Sequence, residues 1–492
     1  MASYLIIPKN FMPMERVGIL VVSYGSREAA VVDALSRSTE YKVELYIADK
    51  QKNPFNMKMA KEHAVIPGLD VNLICEFAKK HKDKLDFGIV GPEKPIIGGI
   101  RDLIERETSI PVICPTQEFA LEGSKVAQRF LLHAVVPKAN PAFKVFDPDD
   151  YKGKRGSVEA DVRKWMNILG GVEKSVIKPD KPGFGKGVGV GGEHYKTFEE
   201  AMEIFNGSFG GKTGEKVIIE EKLEGEESSF QAFCDGTHLI PLPETRDYKR
   251  AFDGDKGSNT GGMGSYNDAG DWLPFMSYKD KENEVEMVEK LFNHLKGNGN
   301  NLGLRGIPFY VAFMHTKTGA KILEINSRPG DPEIQNILPL IKDDFVDVCF
   351  GMIHGTLTRI NLDSKATVVI YKAPPSYGGY EKAFAELVNK EDVGKPVSLD
   401  EAYALTAKYE DAIRVYPGSM ELRGDGLSYA LTSRTVCVVG IGKDIQAARD
   451  ISCEGINAIK GGALWNRWDI ASGGHIARSI AHMKRLRGES WI

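Results

Sequence analysis

The sequence has no apolar run approaching eighteen residues, and no cationic leader followed by an apolar stretch. A membrane-spanning helix needs about twenty mostly apolar residues, and a secretory signal needs both leader features. We therefore expect a cytoplasmic protein that does not attach to a membrane.

Cysteine is scarce and charge is balanced. The 6 cysteines have no C-x-x-C spacing, which argues against a zinc site or a disulfide framework and predicts buried thiols. The formal net charge is −4 with both signs intermixed, so we expect no basic surface for nucleic acid. A small phosphate-bearing ligand is compatible with this balance.

The length of 492 residues exceeds what one core supports, because single cores stop growing at roughly 250 to 300 residues. Residues 17–25 form an apolar strand pattern that ends at glycine, and helical spacing follows. Repeats of this pattern predict a doubly wound α/β domain over residues 1–120, with ligand groups at the carboxyl ends of its strands. We predict a second domain over residues 121–355. A small α+β domain over 356–492 completes the chain.

Two glycine-rich segments imitate nucleotide-binding motifs. GSFGGKTG resembles a P-loop, but Asn206 stands where the first glycine is required and no strand pattern precedes it. GVGVGG at residues 187–192 matches G-x-G-x-x-G, yet no acidic residue is placed to bind a ribose. We interpret the second segment as a strand beside a mobile loop.

The segment KRAFDGDKGSNTGGMGSY, residues 249–266, has five glycines and almost nothing to bury. Glycine in a helix or strand interior is destabilising, and the apolar period of either element is missing. The composition therefore predicts a loop, and loops of this length are usually functional or disordered.

A cation and a glycine turn follow the strand SVIK. Lys178 ends this strand, and PGFGKG places a second cation, Lys186, within a few residues. Backbone N–H groups of a glycine turn can approach phosphate oxygens closely. A solvated lysine in a flexible turn is the alternative for this segment alone.

Acidic side chains follow the next strand. IIEEKLEGEESS ends a β-branched strand with Glu220 and Glu221, and Glu226 and Glu227 come shortly after. A hinge of this kind can bind an adenine edge through its backbone and a ribose through a carboxylate. The alternative is a solvated acidic face.

The segment ILEINSRPGDPE carries oxygen ligands on a strand. Glu324 and Asn326 alternate and so share one face, and both offer the oxygen ligands that Mg²⁺ prefers. Arg328 lies on that face if the strand continues. The set predicts a clamp for a polyphosphate, the alternative being a strand with one solvated polar face.

Together these segments resemble the ATP-grasp family of phosphoribosylamine–glycine ligases, also called glycinamide ribonucleotide synthetases. The matching motifs are K-P-D…G-K-G, I-E-E…G-E-E-x-S, D-x-K-R…D-G-D-x-G-x-N-T-G-G-M-G and E-x-N-x-R-x-G-D-P-E-x-Q. G-P-E-x-P at residues 91–95 and L-E-G-S-K at 121–125 extend the match to nearly the whole chain.

The resemblance implies an ATP-grasp fold for the second domain, with a mobile lid over about 135–220, and a step of purine synthesis. ATP, glycine and 5-phosphoribosylamine would give glycinamide ribonucleotide, ADP and phosphate through a glycyl phosphate intermediate. It also implies Mg²⁺ or Mn²⁺ with the ATP, small-molecule substrates alone, and a monomer or weak homodimer.

The resemblance further implies roles residue by residue. Contacts to ATP are expected from Lys125, Lys178, Lys186, Glu220, Glu221 and Glu227, with Glu226 as the alternate of Glu227. Metal ligands are expected at Glu324 and Asn326, and catalytic roles at Arg328, Asp247 and Asp253. The pocket for glycine and phosphoribosylamine is expected to include Arg27, Glu28, Glu93, Lys249, Arg250, Asn259, Thr260, Gly261, Gly262 and Arg467, with Asp469 beside Arg467.

Some positions depart from the family pattern. The first loop has Ser23, Ser26 and Ala29 where the family commonly has two glycines and a histidine, and Pro329 follows the arginine of the last motif. The glycine-turn segment is also unusual in its residues Pro179, Lys181 and Pro182. These changes bear on phosphoribosylamine binding more than on ATP binding.

Three alternatives follow. They are an ATP-grasp ligase or formate-using transferase acting on another purine intermediate, a nucleotide-binding regulatory protein without catalysis, and a dinucleotide oxidoreductase.

Overall fold

The structure, a computed structural model, describes residues 14–152, 155–183, 187–209 and 214–488. Four sheets of four or five strands organise this part of the chain. Within it, no helix combines the length and apolar character needed to cross a bilayer.

The N-terminal unit is a parallel five-stranded sheet of order β3-β2-β1-β4-β5. Its elements are β1 Glu15–Ser23, α1 Ser26–Ser36, β2 Tyr41–Asp49, α2 Pro54–Met59, β3 Glu62–Val65, α3 Val71–Lys80, β4 Phe87–Val90, α4 Glu93–Ile97, α5 Ile100–Thr108 and β5 Val112–Ile113. The apolar run of β1 is buried on both faces, as central parallel strands require. The predicted strand and helix alternation is confirmed.

A second sheet, of order β6-β9-β7-β8, is antiparallel and carries two helices. Helix α6 Lys125–Val135 precedes this sheet, whose own elements are β6 Phe143–Phe146, α7 Arg155–Ile168, β7 Ser175–Pro179, β8 Gly189–Val190, α8 Phe198–Phe209 and β9 Val217–Glu221. Phe146, Phe205 and Ile219 belong to its separate apolar core. We call this unit the lid sheet.

A third sheet, of order β11-β10-β16-β17, faces the lid sheet across the cleft described below, and we call it the base sheet. The chain here contains β10 Glu226–Cys234, β11 Leu239–Pro241, β12 Arg246–Asp247, β13 Arg250–Phe252, β14 Lys256–Asn259, β15 Gly264–Asn267, α9 Tyr278–Lys296, β16 Gly306–Thr316 and β17 Gly319–Asn326. Helix α9 begins with a capping box formed by Ser277 and Asp280. β16 and β17 pair as an antiparallel hairpin that is connected by residues 317–318.

The C-terminal part completes an antiparallel sheet of order β12-β15-β18-β23-β20. Its elements are α10 Glu333–Ile337, α11 Phe345–His354, β18 Ala366–Lys372, α12 Tyr380–Ala383, β19 Val397–Ser398, α13 Asp400–Ala404, α14 Thr406–Tyr409, β20 Ile413–Pro417, β21 Met420–Leu422, β22 Ser428–Ala430, β23 Val436–Gly442, α15 Ile445–Ala458, β24 Lys460–Gly461 and α16 Gly473–Arg487. Strands from residues 246–267 therefore join strands from beyond residue 366. The domain boundaries given above stay a prediction.

The glycine-rich segment 249–266 is not the loop that its composition predicts. β13 and β14 pair as a hairpin, and β15 is a buried strand between β12 and β18. A Cβ on Gly264 would lie 2.3 Å from the carbonyl oxygen of Val369, so close backbone approach requires glycine here. The prediction was wrong because it considered propensity without the neighbouring strand.

The cysteines are free, and all but Cys453 are buried. The prediction of buried thiols is thus confirmed for five of them, while Cys453 is partly exposed.

Candidate active site

A β-bulge turns the predicted metal ligands into the cleft. In the β16–β17 pairing, Ala312 lies opposite Glu324 but Phe313 lies opposite Ile322, which leaves Leu323 as the extra residue. Ile322 and Ile325 are both fully buried in the base-sheet core. In a regular strand, Glu324 would point to the same core face as Ile322. The extra residue of the bulge shifts the alternation by one, so that Glu324 points to the opposite face, away from the core. Asn326 Nδ2 lies 3.5 Å from Glu324 Oε1, so both side chains reach one place.

Three lysines surround Glu324. Burial alone would raise the pKa of this carboxyl, but the ammonium groups of Lys249, Lys178 and Lys125 outweigh burial and lower it. Lys178 comes from the lid sheet, Lys125 from the first turn of α6 and Lys249 from the segment before β13. Cations from three elements around one carboxylate form a suitable environment for a metal-bound polyphosphate.

Glu220 is held beneath this site by two cations. Its carboxylate accepts from Arg129 Nε at 2.5 Å and Nη2 at 2.9 Å, and Lys178 Nζ lies 2.8 Å away. Burial would raise the pKa of Glu220, but Arg129 and Lys178 together lower it to about 2. The neighbouring Glu221 accepts from the Ala142 amide at 2.9 Å. Both predicted hinge carboxylates thus have protein partners, and their contact with adenine stays a prediction.

The two residues that follow β7 are anchored to the start of α6. The Asp180 carboxylate accepts from the Ser124 hydroxyl at 2.7 Å and from the Val126 amide at 2.9 Å. Lys125 Nζ donates to the Lys181 carbonyl at 3.0 Å. Lys186, the second predicted cation of the glycine turn, lies outside the described residues.

Glu226 and Glu227 point in opposite directions from β10. Glu226 accepts from Arg246 Nη1 at 2.6 Å and lies 2.6 Å from His482 Nδ1 of α16, so it serves the packing of the C-terminal helix. Glu227 accepts from Lys249 Nζ at 2.7 Å. Of the two candidates for the ribose contact, Glu227 is therefore the one on the side of the cleft.

Arg328 lies at the centre of an acidic group. Its Nη2 lies 3.4 Å from Glu122 Oε1, its Nε lies 3.7 Å from Glu93 Oε2, and its guanidinium stands 5.5 Å from the Tyr310 ring centre. Burial raises the pKa of Glu122 to about 7, against the opposing effect of Arg328. The side chain that is predicted to neutralise an acyl phosphate is thus fixed from several sides.

The first loop supports this arrangement from the N-terminal sheet. Arg27 Nε donates to Glu28 at 2.5 Å, and its Nη2 lies 3.8 Å from Glu93. Glu28 accepts from the backbone amides of Tyr24 and Gly25 at 2.9 and 3.0 Å. Both predicted substrate residues are buried and bonded to protein, so a direct substrate contact for either stays a prediction.

One departure from the family pattern has a clear structural counterpart. The hydroxyl of Ser26 contacts the hydroxyl of Tyr371 on β18, and Tyr371 donates to Asp331 at 2.7 Å. A serine at this position therefore ties the first loop to the C-terminal sheet.

Residues 260–262, which we call the T-G-G turn, are held by hydrogen bonds from both backbone and side-chain groups. Thr260 donates twice to the Lys249 carbonyl, from its amide at 2.7 Å and its hydroxyl at 2.9 Å. The Gly261 amide donates to the Tyr377 hydroxyl at 2.9 Å. Gly262 has φ of +97°, and a Cβ there would lie 2.3 Å from Asp247 Oδ1. Asn259, which ends β14 before this turn, is exposed.

Asp247 Oδ1 faces this turn, and the carboxylate of Glu333 lies near Asp247. Within the described residues, Asp247 Oδ1 and Glu333 Oε2 have no hydrogen-bond partner. Burial, followed by the charge of Glu333, raises the pKa of Asp247 well above its usual value. A buried unpaired oxygen is destabilising unless a ligand pairs with it, so this pair is suited to an N–H donor.

The β13–β14 hairpin is held by residues 467–469, which we call the R-x-D element. Arg467 is 1% exposed and donates to Asp469, to Asp255 and to the Arg250 carbonyl. Asp253 Oδ1 accepts from the Trp468 amide at 2.9 Å. All three guanidinium nitrogens of Arg467 are bonded to protein, and the predicted contacts of Arg467 and Asp253 with substrate stay predictions.

The hairpin also meets the lid sheet. Arg250 contacts Glu193, which follows β8, and donates to the Gly257 carbonyl at 3.0 Å. Glu193 in turn lies 3.1 Å from Lys222 Nζ. The predicted substrate residue Arg250 therefore links the β13–β14 hairpin to the lid sheet.

Three residues in or beside this site were not identified from the sequence. Arg129 lies beneath the lysines, Glu333 faces Asp247, and Arg434 donates to the Gly262 carbonyl at 3.1 Å and to Asp331 at 2.8 Å. Glu333 could have been found, since it lies within the motif that begins at Glu324. Arg129 and Arg434 carry no such signal in one sequence, because only the tertiary fold brings them to the cleft.

Comparison with known proteins agrees with this geometry. The N domain of phosphoribosylglycinamide synthetase matches residues 17–122, and the ATP-grasp (A) domain of the same family matches residues 154–334. Curated phosphoribosylamine–glycine ligases are similar along their whole length. The protein of Methanocella arvoryzae is 34% identical over 477 residues, which is 96% of this chain and 100% of the relative. The protein of Methanocaldococcus jannaschii is 36% identical over 476 residues, 95% of this chain and 99% of the relative.

Solved structures share the fold. A phosphoribosylamine–glycine ligase from Thermotoga maritima superimposes with a TM-score of 0.68 at 24% identity, covering 92% of this chain and 100% of that one. The biotin carboxylase domain of the Hydrogenobacter thermophilus 2-oxoglutarate carboxylase, in complex with MgADP, gives a TM-score of 0.63 at 15% identity, covering 95% of this chain and 93% of that one.

Proposed function

The chain belongs to the phosphoribosylglycinamide synthetase family, and we propose that it joins glycine to 5-phosphoribosylamine while ATP is converted to ADP and phosphate. The product is glycinamide ribonucleotide, an intermediate of purine synthesis. The observation that carries the proposal is the meeting of Lys178, from the lid sheet, with Glu324 and Asn326, from the base sheet, at one cleft. A dinucleotide oxidoreductase has no support from the family or from this geometry.

The reaction needs two steps because a carboxylate is a poor acyl donor. A glycine carboxylate oxygen attacks the γ-phosphorus of ATP, the bond to the β-γ bridging oxygen breaks, and ADP leaves from glycyl phosphate. The amine of phosphoribosylamine then forms a C–N bond with the acyl carbon, the acyl C–O bond to phosphate breaks, and the amine gives up a proton. Catalysis rests on positioning and on neutralising the charge of the transferred group.

We assign the ATP site to the lysines and acids of the lid sheet and α6. Lys125, Lys178 and Lys186 are the proposed cationic contacts, and Lys178 is the best placed of the described two because it bridges Glu220 and the region of Glu324. Glu227 is the proposed ribose contact, supported by its direction toward the cleft. The strand end at Glu220 and Glu221 is the proposed adenine hinge, with adenine contacted by backbone rather than by their paired carboxylates.

ATP-grasp enzymes use ATP together with a divalent metal. Glu324 and Asn326 fit such a metal because they offer hard oxygen ligands on one face. Ala312, which lies opposite Glu324 on β16, has no side-chain oxygen to add. Mg²⁺ usually takes few protein ligands and completes its shell with water and phosphate, so two side chains are enough. We propose Mg²⁺ or Mn²⁺, which would neutralise phosphate charge during transfer.

We assign the acyl-transfer side of the cleft to Arg328 and the T-G-G turn. Arg328 is the proposed neutraliser of the acyl phosphate, and Asp247, facing Glu333, is the proposed partner of an amino group. Asp253 acts through the hairpin that it ties to the R-x-D element. The wider pocket comprises Arg27, Glu28, Glu93, Lys249, Arg250, Asn259, Thr260, Gly261, Gly262 and Arg467.

The substrates are small metabolites, and we propose that the enzyme acts on them in the cytoplasm as a monomer or weak homodimer. Neither nucleic acid nor a membrane is needed by this reaction. The intermixed charges and the net charge of −4 support the absence of a nucleic-acid partner.

The test is ADP release with ATP and Mg²⁺, measured with glycine alone, with freshly generated phosphoribosylamine alone, and with both. Release that needs both substrates is expected. Release that needs neither, or no release at all, would contradict the proposal, and other purine intermediates would then be compared.

A further inference from the structure

Helix α6 contacts the open edge of the base sheet in place of a further strand. β17 is the edge strand of that sheet. The Gln128 amide accepts from the Ile325 N–H and donates to the Ile325 carbonyl, both at 2.9 Å. Arg129 continues along the edge, donating to the carbonyls of Ile322 at 3.0 Å and Leu323 at 2.6 Å. Side chains of α6 thus make the bonds that a neighbouring strand would make.

Arg129 also stabilises the bulge that directs Glu324 to the cleft. Leu323 is the unpaired residue of that bulge, so its carbonyl has lost its place in the hydrogen-bond ladder. Arg129 Nη2 bonds this carbonyl, and Lys178 Nζ lies 3.4 Å from the same oxygen. Arg129 is 2% exposed, so water has little access to its guanidinium or to the Leu323 carbonyl that the guanidinium bonds.

The same guanidinium reaches the lid sheet. It holds the Glu220 carboxylate with two nitrogens, and the third partner of that carboxylate is Lys178. A paired fork of this kind is stronger and more directional than a lysine contact. Glu220 is therefore neutralised by Arg129 even when Lys178 is elsewhere.

We propose that Arg129 is a positioning residue that holds Glu220 and the Leu323 carbonyl so that Lys178 is free to bind the nucleotide phosphates. Without Arg129, Lys178 is the sole cation bonded to a buried carboxylate and stays on it. Loss of Arg129 then removes Lys178 from the nucleotide site although Lys178 itself is intact. This inference rests on the proposed binding of ATP at Lys178 and Glu324.

The test compares ATP·Mg²⁺ affinity, by calorimetry, in the wild type, Arg129→Met and the double variant Arg129→Met with Glu220→Gln. The single variant should bind ATP at least 30-fold more weakly than the wild type. In the double variant Lys178 has no carboxylate to neutralise, so at least a tenfold recovery of affinity is expected. A purely structural role would not give this recovery, because the second substitution removes a further buried contact.

The matched control is Arg101→Lys. Arg101 is also 2% exposed and also bridges a carboxylate, Glu105, and a backbone carbonyl, that of Cys114. It lies in the N-terminal unit, and its variant should keep wild-type ATP affinity. Unfolding curves of every variant identify any loss caused by misfolding, and in that case Arg129→Gln, which keeps an N–H donor but not the charge, replaces Arg129→Met in the same comparison.

Two results would overturn the inference while leaving the proposed function intact. The first is an ATP affinity of Arg129→Met equal to that of the wild type. The second is a double variant that binds ATP no better than Arg129→Met. In both cases the wild-type enzyme must release ADP with glycine and phosphoribosylamine. A wild type that neither binds ATP nor releases ADP would overturn the proposed function, and the inference with it.

Discussion

Lys249 Nζ lies 2.7 Å from Glu227 Oε2, which joins the segment entering the substrate hairpin to the proposed ribose contact of ATP. Lys249 also lies close enough to Glu324 to lower the pKa of that carboxyl. One lysine therefore faces the proposed nucleotide, metal and substrate parts of the cleft. Binding at any of these parts changes the charge that the other two experience.

Replacing Glu324 with alanine should abolish turnover while the fold persists. The substitution removes the carboxylate of the proposed metal pair, and a metal contributes several kcal/mol to charge stabilisation, so kcat should fall by about 10³-fold or more. ADP release measured across a Mg²⁺ titration checks this, with the thermal midpoint recorded alongside. Unchanged activity at saturating Mg²⁺ would show that Glu324 is not a metal ligand.

Replacing Lys178 with alanine should chiefly weaken ATP binding. A hydrogen bond to a charged group contributes about 1.5–3 kcal/mol, which corresponds to roughly a 10- to 150-fold rise in the ATP dissociation constant. A nucleotide titration measures it. Lys216→Ala, which removes a 47% exposed lysine that pairs with Asp147, is the control and should bind ATP normally. Equal affinity in the two variants would contradict the assignment.

The Asp247→Asn variant should be less active but more stable at neutral pH. Burial and Glu333 raise the pKa of Asp247 above its usual 3.8, against the opposing charges of Lys249 and Arg434. The folded state therefore holds a proton that the unfolded state releases, and stability declines as pH rises above about 4. Asparagine removes this penalty, so unfolding at pH 7 should require about 1–2 kcal/mol more than in the wild type.

The stability gain of Asp247→Asn should vanish near pH 4, where the unfolded state is protonated as well. The KM for glycine should rise or kcat should fall, with a combined loss of about 10²-fold or more. Denaturant unfolding at pH 4 and 7 and steady-state kinetics measure the two effects. Asp411→Asn, at a 97% exposed side chain, is the control. A variant that is destabilised at pH 7 but fully active would refute the proposed role.

The strand-end motifs could be read from the sequence because each combines local periodicity with a change to polar residues. Lys178 at the end of β7 and Glu220 at the end of β9 follow from apolar runs alone. The shared face of Glu324 and Asn326 was also predicted, but the reason it opens to the cleft was not. That reason is the bulge at Leu323, which depends on the register with β16.

Other features depend on contacts between distant parts of the chain. β15 reads as a loop because its glycines have poor strand propensity, yet pairing with β18 requires Gly264. Which of Glu226 and Glu227 is available for the ribose contact depends on α16, more than 240 residues away. His482 of this helix contacts the Glu226 carboxylate. Arg434 reaches the T-G-G turn from the end of a loop before β23. Single-sequence patterns contain no signal for these pairings.

The stability of the base sheet should decline between pH 6.5 and about 9 because of His315. This side chain is fully buried, with Glu284 Oε1 2.9 Å from Nε2 and Asp280 Oδ1 3.6 Å from Nδ1. Burial would lower the pKa of His315, but Glu284 and Asp280 raise it from 6.5 to about 9. The other facing groups are the Ser228 hydroxyl, which Nε2 contacts, and Arg487 beyond Asp280.

A raised histidine pKa stabilises the folded state fully below 6.5, and this contribution is lost as pH rises through about 9. The loss should reach about 3 kcal/mol in the free energy of unfolding. Denaturant unfolding at half-unit steps from pH 6 to 9.5 measures the slope, and His315→Gln should flatten it. His133→Gln, at an exposed position of α6, should leave the slope unchanged. Parallel slopes in the wild type and His315→Gln would show that His315 is not charged in the folded protein.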